Sequence, residues 1–175
     1  MKHERPRPDE YAESFAGYVA RVPESDVIAV LTAQRPAVAA VLAAIPEERA
    51  GHRYAEGKWS IREVVGHVVD TERVMGYRAL CVARGETASL PAFDENLYAA
   101  RAGHDGCRLA DLARELDALR ESHLLMLRHV PEDAWARFGT ANARPVTPRA
   151  LAYVIAGHLR HHFAILAERY GTGVL

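Results

Sequence analysis

The sequence has few cysteines and no long apolar run. Cys81 and Cys107 are too few for the disulfide framework of a small secreted protein. No apolar stretch approaches the roughly 20 residues that a transmembrane helix needs. The chain begins MKHERPRPDEY, which is too polar and too rich in proline for a signal peptide. We therefore expect a cytoplasmic protein with no membrane span.

An excess of charge of one sign is also missing. The chain carries 22 basic and 23 acidic residues, which gives a net charge of −1. Nucleic-acid-binding proteins usually show a basic footprint, so we expect no nucleic-acid partner. The sequence also lacks the G-x-S-x-G elbow, the Walker loop and the dinucleotide-binding glycine pattern. No motif therefore supports the enzyme classes that depend on them.

Apolar residues instead recur with helical spacing along most of the chain, and no segment alternates as a strand does. A length of 175 residues, 49% of them hydrophobic, fits one domain with a substantial core. We predict an all-α protein in which four long helices pack as a bundle. Residues 1–24 are predicted to form a loose arm and a short helix, and residues 25–175 the single bundle domain.

Capping residues predict where the four helices begin and end. Ser60 and Glu63 match the capping box that opens the second helix. Pro36 falls inside the first helix, where we expect a kink, and two helices meeting at Pro36 are the alternative. The predicted limits are Ser25 or Asp26 to before Pro46, Ser60 to before Gly85, Leu109 to Val130, and Thr147 to Gly171.

Two long connections are predicted as loops. The first covers residues 86–106, between the second and third helices, and is rich in turn-forming residues. The second covers residues 131–146, before the fourth helix. A loop as long as the first inside a compact domain is often functional.

The fourth helix carries a spacing that is typical of metal ligands. His158 and His162 in GHLRHHFAIL are four residues apart, so their side chains share one helix face. Two such imidazoles can chelate one transition metal, and His67 in the second helix is the best candidate for a third ligand. His161 competes with His162, but the apolar positions centre the buried face nearer to His162. The alternative is that ordinary histidines meet this spacing by chance.

Other residues are weaker candidates for a site. Asp94, Glu95 and Asn96 in the first long loop could supply an acid or an orienting group near a metal, although a turn of ordinary polar residues explains them as well. Asp70 shares a helix face with His67 and could orient that ligand, or it could pair with a nearby arginine at the surface. The remaining histidines are expected to face solvent or to cap helices; they are His3, His52, His104, His123 and His129.

Two glycines directly precede candidate ligands. Gly66 stands before His67 and Gly157 before His158. Glycine inside a helix costs about 1 kcal/mol relative to alanine. A close approach of the backbone around a buried site is one reason for accepting that cost.

Three segments, KWSIREVVGHVVDTERVMGYRAL, LPAFDENLY and GHLRHHFAIL, resemble the DinB-like superfamily of metalloenzymes. The resemblance covers roughly residues 25–170. It implies a four-helix bundle in up-down-down-up order with a long crossover between helices two and three. It also implies that His67, His158 and His162 hold a divalent metal and that the protein is a homodimer.

Several members of that superfamily are thiol-dependent S-transferases or isomerases that use bacillithiol, mycothiol or glutathione, and others have no known reaction. The resemblance therefore predicts a metal-dependent enzyme, foremost a thiol S-transferase acting on a small molecule. Zinc or nickel is the expected metal, and iron and manganese are alternatives. A metal-dependent hydrolase is the second hypothesis. The third hypothesis is a non-catalytic bundle, in which the metal only holds the helices together or the protein senses the metal supply.

Overall fold

A computed structural model describes residues 4–175, so His3 lies outside the described residues. Its elements are helices α1 (Ala16–Ala20), α2 (Val27–Ala43), α3 (Ile61–Ala83), α4 (Glu95–Ala102), α5 (Leu109–Arg128) and α6 (Pro148–Tyr170), and strands β1 (Gly139–Ala141) and β2 (Arg144–Val146). Short 3₁₀ turns cover Pro8–Glu10, Glu13–Phe15, Glu47–Arg49, His104–Gly106 and Glu132–Ala134. Between residues 4 and 175, no helix is both long and apolar enough to cross a bilayer. The fold is all-α, as predicted, with one small hairpin added.

The long helices begin at the capping residues that the sequence predicts. The side chains of Asp26, Ser60 and Thr147 each accept a hydrogen bond from a backbone N–H in the first turn of α2, α3 and α6. Gly171 ends α6 in the left-handed conformation, which costs glycine little. Pro36 lies inside one continuous α2, so the alternative of two helices is wrong.

Contacts between the long helices set their directions. Helices α3 and α5 run parallel to each other. Helices α3 and α6 are antiparallel, and so are α2 and α5. These contacts are Arg73–Glu115 and Gly76–His123 for α3 and α5, Trp59–Tyr170 and His67–His158 for α3 and α6, and Thr32–Arg128 and Arg35–Asp117 for α2 and α5. We infer an up-down-down-up order, in which residues 84–108 make the crossover between α3 and α5.

A buried polar network joins the four long helices. The guanidinium of Arg120 on α5 donates to both carboxylate oxygens of Glu72 on α3, over 2.6 and 2.7 Å. Arg120 also donates to Oε1 of Gln34 on α2 over 2.8 Å, and Gln34 donates to the carbonyl oxygen of Ala156 on α6 over 2.9 Å. Apolar side chains of two core clusters fill the rest of the interior. The network thus fixes the register of the helices where a purely apolar interface would let them slide.

The N-terminal segment is anchored to the bundle at Glu10. The Glu10 side chain is fully buried and accepts hydrogen bonds from Thr147 and Arg149, each over 2.9 Å. Burial raises the pKa of Glu10, but its bonds to Arg149, Arg7 and Thr147 outweigh burial and leave it below the ordinary value. An ionised Glu10 therefore anchors this segment on the start of α6.

Both connections that were predicted as loops contain regular structure. Asp94 caps α4 by accepting hydrogen bonds from the N–H groups of Asn96 and Leu97. The strands β1 and β2 form an antiparallel hairpin whose turn, Asn142–Ala143, has positive φ at both residues. Strands of three residues are too short to show alternation, and this turn lacks the glycine that usually marks such a hairpin. The backbone of Leu90 also bonds to the hairpin, through Thr140 and Asn142.

We predict that Arg120→Met lowers the free energy of unfolding by about 3–5 kcal/mol, because it leaves the carboxylate of Glu72 buried without its cation. Denaturant unfolding followed by circular dichroism measures the change. The double substitution Glu72→Leu with Arg120→Met should recover most of the loss, since it removes both charges.

Arg35→Met is the matched control, because Arg35 also pairs with an acid across a helix interface, with Asp117 between α2 and α5, but at the surface. An exposed pair contributes at most about 1 kcal/mol. Equal losses for Arg35→Met and Arg120→Met would contradict the role given to the buried pair.

Candidate metal centre

Three histidine rings meet between α3 and α6. The spacing of four residues places His158 and His162 on one face of α6, and the crossing of α3 brings His67 against that face. The Nε2 atoms of His67 and His158 are 3.0 Å apart. The ring centroids of His158 and His162 are 4.4 Å apart. One ring nitrogen from each of the three histidines lies within 4.8 Å of the other two.

Burial keeps these imidazoles neutral. Desolvation lowers the pKa of His67 to about 4 and that of His162 to about 3, and it lowers the pKa of His158 well below its ordinary value. His67 also opposes protonation of His158 and His162, and His162 opposes that of His158, because two positive charges so close would repel. At neutral pH each ring therefore keeps a free lone pair, which is the state that binds a metal.

The chemistry of the donors fits a divalent transition metal. Three protein ligands with one side left open are typical of catalytic zinc sites, whereas structural sites usually have four closed ligands. No carboxylate or thiol of residues 4–175 joins the three imidazoles in the cluster. Imidazole suits zinc, nickel and iron, while manganese prefers carboxylate oxygen. The donor set thus favours the first three metals.

The cluster opens into a pocket of about 370 Å³. Its walls combine α3 and α6 with three segments outside the bundle, namely residues 12–18, 93–96 and 141–146. Two aromatic rings stand beside the histidines: the ring of Trp59 is 4.9 Å from that of His67, and the ring of Tyr18 is 5.2 Å from that of His158. These rings limit the access of water to the imidazoles. The volume is in the range of small-molecule sites.

His161 lies outside the cluster. It is half-buried, and its ring packs on Tyr18 at 5.4 Å between centroids, whereas His162 is buried beside His67. Of the two neighbours, the structure brings His162 to the other rings. That His67, His158 and His162 bind a metal stays a prediction.

The polar candidates have separate environments. Asp70 is 3.8 Å from Nε2 of His104 and 3.9 Å from Arg73, and it is not part of the pocket wall. Asp94 is committed to capping α4 and is also absent from the wall. Asn96 does line the pocket, as does its neighbour Glu95. Of the predicted acids and orienting groups, Glu95 and Asn96 therefore line the pocket, whereas Asp70 and Asp94 do not.

Two histidines that were expected at the surface or at helix ends are packed inside. The ring of His104 lies where a side chain on Gly66 would be, and the ring of His123 lies where one on Gly76 would be. His104 is buried, and Nδ1 of His123 is 3.6 Å from the carboxylate of Glu72. The expectation failed because it ignored the glycines that open these spaces. His52 and His129 are exposed, as predicted.

At the second Gly-His pair the expected close approach of the backbone is found. Gly157 leaves room for the carbonyl oxygen of Tyr18, so α1 packs directly on α6. That contact brings the Tyr18 ring to the pocket. Sequence reasoning missed Tyr18, Trp59 and Arg78 as wall residues, because none carries a local pattern that points to the histidines.

We predict that acid destabilises the metal-free protein through the three histidines. Their pKa values lie below 6.5 in the folded state, so the unfolded state binds protons first as the pH falls. The free energy of unfolding should drop below pH 6.5, by up to about 1.4 kcal/mol per pH unit for each histidine, until the folded rings titrate near pH 4 and below. Denaturant unfolding at pH 7.5, 6 and 5 measures it.

His158→Gln should make this dependence shallower by about one proton, and the exposed His129→Gln should leave it unchanged. A slope that is the same in His158→Gln and in the wild type would contradict the prediction.

Two solved structures share this fold. YfiT from Bacillus subtilis is described as a probable metal-dependent hydrolase with an unusual four-helix bundle topology. It is 18% identical, with a TM-score of 0.67, and the match covers 97% of this chain and 94% of YfiT. A mycothiol-dependent maleylpyruvate isomerase is 16% identical, with a TM-score of 0.66, over 82% of this chain and 60% of the isomerase. No curated relative matches the sequence.

Identities this low carry information on the fold alone. The family is shown by the sequence itself, because a model described as the DinB superfamily matches residues 31–166. That range is more than three quarters of the chain. The chain belongs to the DinB superfamily.

Proposed function

We propose that this protein is a metal-dependent enzyme in which His67, His158 and His162 hold one divalent metal. The observation that carries the proposal is the cluster of three buried, neutral imidazoles at the wall of a pocket. Burying three polar imidazoles together is costly for a protein that gains nothing from them. Zinc or nickel is the proposed metal, and iron is the next candidate.

We further propose that the reaction is a thiol-dependent S-transfer. When bound, a divalent metal lowers the pKa of a thiol or a water molecule that it contacts. The chain supplies the other requirements. Trp59 and Tyr18 shield the open side of the cluster from water, and the pocket has room for a small electrophile beside the thiol. The proposal agrees with the fold that the chain shares with a mycothiol-dependent isomerase.

Hydrolysis is the second candidate, and a specific likeness favours it. YfiT matches nearly the whole chain, and it is described as a probable metal-dependent hydrolase. For hydrolysis the pocket would need a group that accepts a proton from water. Glu95 is the acid on the pocket wall, and it is close enough to His67 to raise the pKa of that ring against the effect of burial.

A structural or sensing role is the third candidate. Three ligands and an open side argue against a metal that only staples the bundle, because structural zinc sites are usually closed by four ligands. The partners that accompany the enzymatic proposal are a low-molecular-weight thiol and a second copy of this chain. A cytoplasmic location, a homodimer and the absence of a nucleic-acid partner stay predictions.

We predict that His162→Ala weakens zinc and nickel binding by at least about a hundredfold. Loss of a residue that only orients a ligand already costs about 10- to 100-fold, and His162 is proposed as a ligand itself. Calorimetric titration of chelator-treated protein measures the affinity. His161→Ala is the matched control, because it removes the adjacent histidine from the same helix, and it should bind as the wild type does. A loss of metal affinity in His161→Ala, with wild-type affinity in His162→Ala, would assign the ligand to His161.

We predict that the metal-loaded protein conjugates monochlorobimane to at least one of bacillithiol, mycothiol and glutathione. The rate should depend on the metal and vanish in His67→Ala, and the exposed His52→Gln should keep it. Fluorescence of the bimane conjugate measures turnover. The same samples are then tested on activated esters and amides.

Each outcome selects one candidate. Metal-dependent cleavage of the esters or amides without conjugation would replace the transferase by the hydrolase. A large rise in melting temperature on metal binding, with turnover of neither kind, would move the assignment to a structural or sensing role.

A further inference from the structure

Three arginines of the described chain are buried, and only one lacks a carboxylate. Arg120 and Arg149 are held by the buried acids Glu72 and Glu10. Arg78 on α3 is 4% exposed, yet no carboxylate of residues 4–175 pairs with it. Buried charges in proteins are normally paired. Arg78 is therefore an exception, a buried cation that an anionic ligand would neutralise.

The contacts of Arg78 leave its charge uncompensated. One Nη atom donates to the carbonyl oxygen of Pro91 over 2.7 Å, and the other lies 3.7 Å from the sulfur of Met75. The ring of Phe93 is 5.7 Å from the guanidinium carbon. All three partners are neutral. Burial lowers the pKa of Arg78, with no nearby acid to oppose it, although an arginine stays protonated in proteins.

Arg78 lines the same pocket as the three histidines. On α3, the positions of His67, Thr71, Met75 and Arg78 fall within about 80° of one another around the helix axis, so they share one face. His67 and Arg78 are about 16 Å apart along the axis, at a rise of about 1.5 Å per residue. A helical side chain leans towards the N-terminus, and the contact of Arg78 with Met75 agrees with this. The guanidinium thus reaches back towards the histidines.

Thr71 adds a second unsatisfied group on this face. It is one helical turn from His67, it lines the pocket, and its buried hydroxyl has no hydrogen-bond partner among the described residues. A buried hydroxyl without a partner is costly. A ligand that occupies the pocket can satisfy both Thr71 and Arg78.

We infer that the pocket takes an organic carboxylate, which Arg78 binds at the end of the pocket away from the histidines and Thr71 contacts in between. This inference deepens the proposed function, on which it rests, by naming the substrate class. The planar guanidinium fork matches a carboxylate, and Met75 and Phe93 offer apolar contact to its carbon chain. A multiply charged phosphate would cost more to bring into such surroundings.

Binding of small carboxylates to the metal-free protein tests the inference without turnover. Acetate, butyrate, succinate and phenylacetate are titrated by calorimetry, with phenylacetamide as the neutral analogue and inorganic phosphate as the competing anion. At least one carboxylate should bind, and phenylacetate should bind at least about tenfold more tightly than phenylacetamide. Binding of phosphate alone, or of no carboxylate, would overturn the assignment.

Variants of Arg78 show whether that side chain is responsible. Arg78→Met should weaken carboxylate binding by about 10- to 100-fold and leave phenylacetamide binding unchanged. The carboxylate affinity of Arg78→Lys should lie between those of Arg78→Met and the wild type, since lysine keeps the charge but lacks the planar guanidinium. The matched control Arg84→Met removes an exposed arginine at the end of the same helix and should bind as the wild type does. Carboxylate binding that is as tight in Arg78→Met as in the wild type would disprove the inference.

Thermal unfolding separates binding from a structural role. Arg78→Met removes an unpaired buried charge, so it should melt at or above the wild-type temperature. A large fall in melting temperature would mean that Arg78 serves the fold through Pro91, and this result would also overturn the inference.

The two proposals fail in different ways. His67→Ala should lose the metal and still bind the carboxylates through Arg78. Carboxylate binding without any metal-dependent turnover would leave the assignment of Arg78 standing and reject the proposed enzyme. Turnover without carboxylate binding would reject the assignment of Arg78 and leave the proposed enzyme standing.

Discussion

The geometry of the candidate site depends on the buried contact of Arg120 with Glu72 and Gln34. Glu72 lies five residues beyond His67 on α3, and Gln34 holds the carbonyl oxygen of Ala156, two residues before His158 on α6. The two helices that carry the histidines are therefore fixed relative to each other by polar bonds that have direction. Apolar packing alone tolerates a shift more easily than hydrogen bonds that must keep length and angle.

The features that could be predicted from the sequence are local ones. Asp26, Ser60 and Thr147 cap helices because each side chain bonds to the backbone three residues further on, so the neighbouring sequence suffices. The relation of His158 to His162 is likewise a property of one helix turn. His67 was proposed as the third ligand because it lies in a second predicted long helix. Its meeting with the other two, by contrast, depends on how two helices pack.

What the sequence could not give depends on contacts between distant segments. The sequence alone suggests that His104 and His123 are surface residues. In the structure their rings fill the spaces left by the missing side chains of Gly66 and Gly76. The α4 helix was hidden among turn formers, one of which, Asp94, is its cap. Arg78 carries no motif at all. Arg78 is of interest because no carboxylate of the described residues pairs with it, and only the three-dimensional structure shows this.

The backbone bonds between Leu90 and the hairpin have a mechanical consequence. Leu90 donates to the carbonyl oxygen of Thr140 and accepts from the N–H of Asn142, so an isolated bridge to Ala141 joins the crossover to the end of β1. Residues 93–96 and 141–146, which form two walls of the pocket, are thereby coupled. An insertion in either segment would displace both walls together and leave the histidines on the bundle untouched.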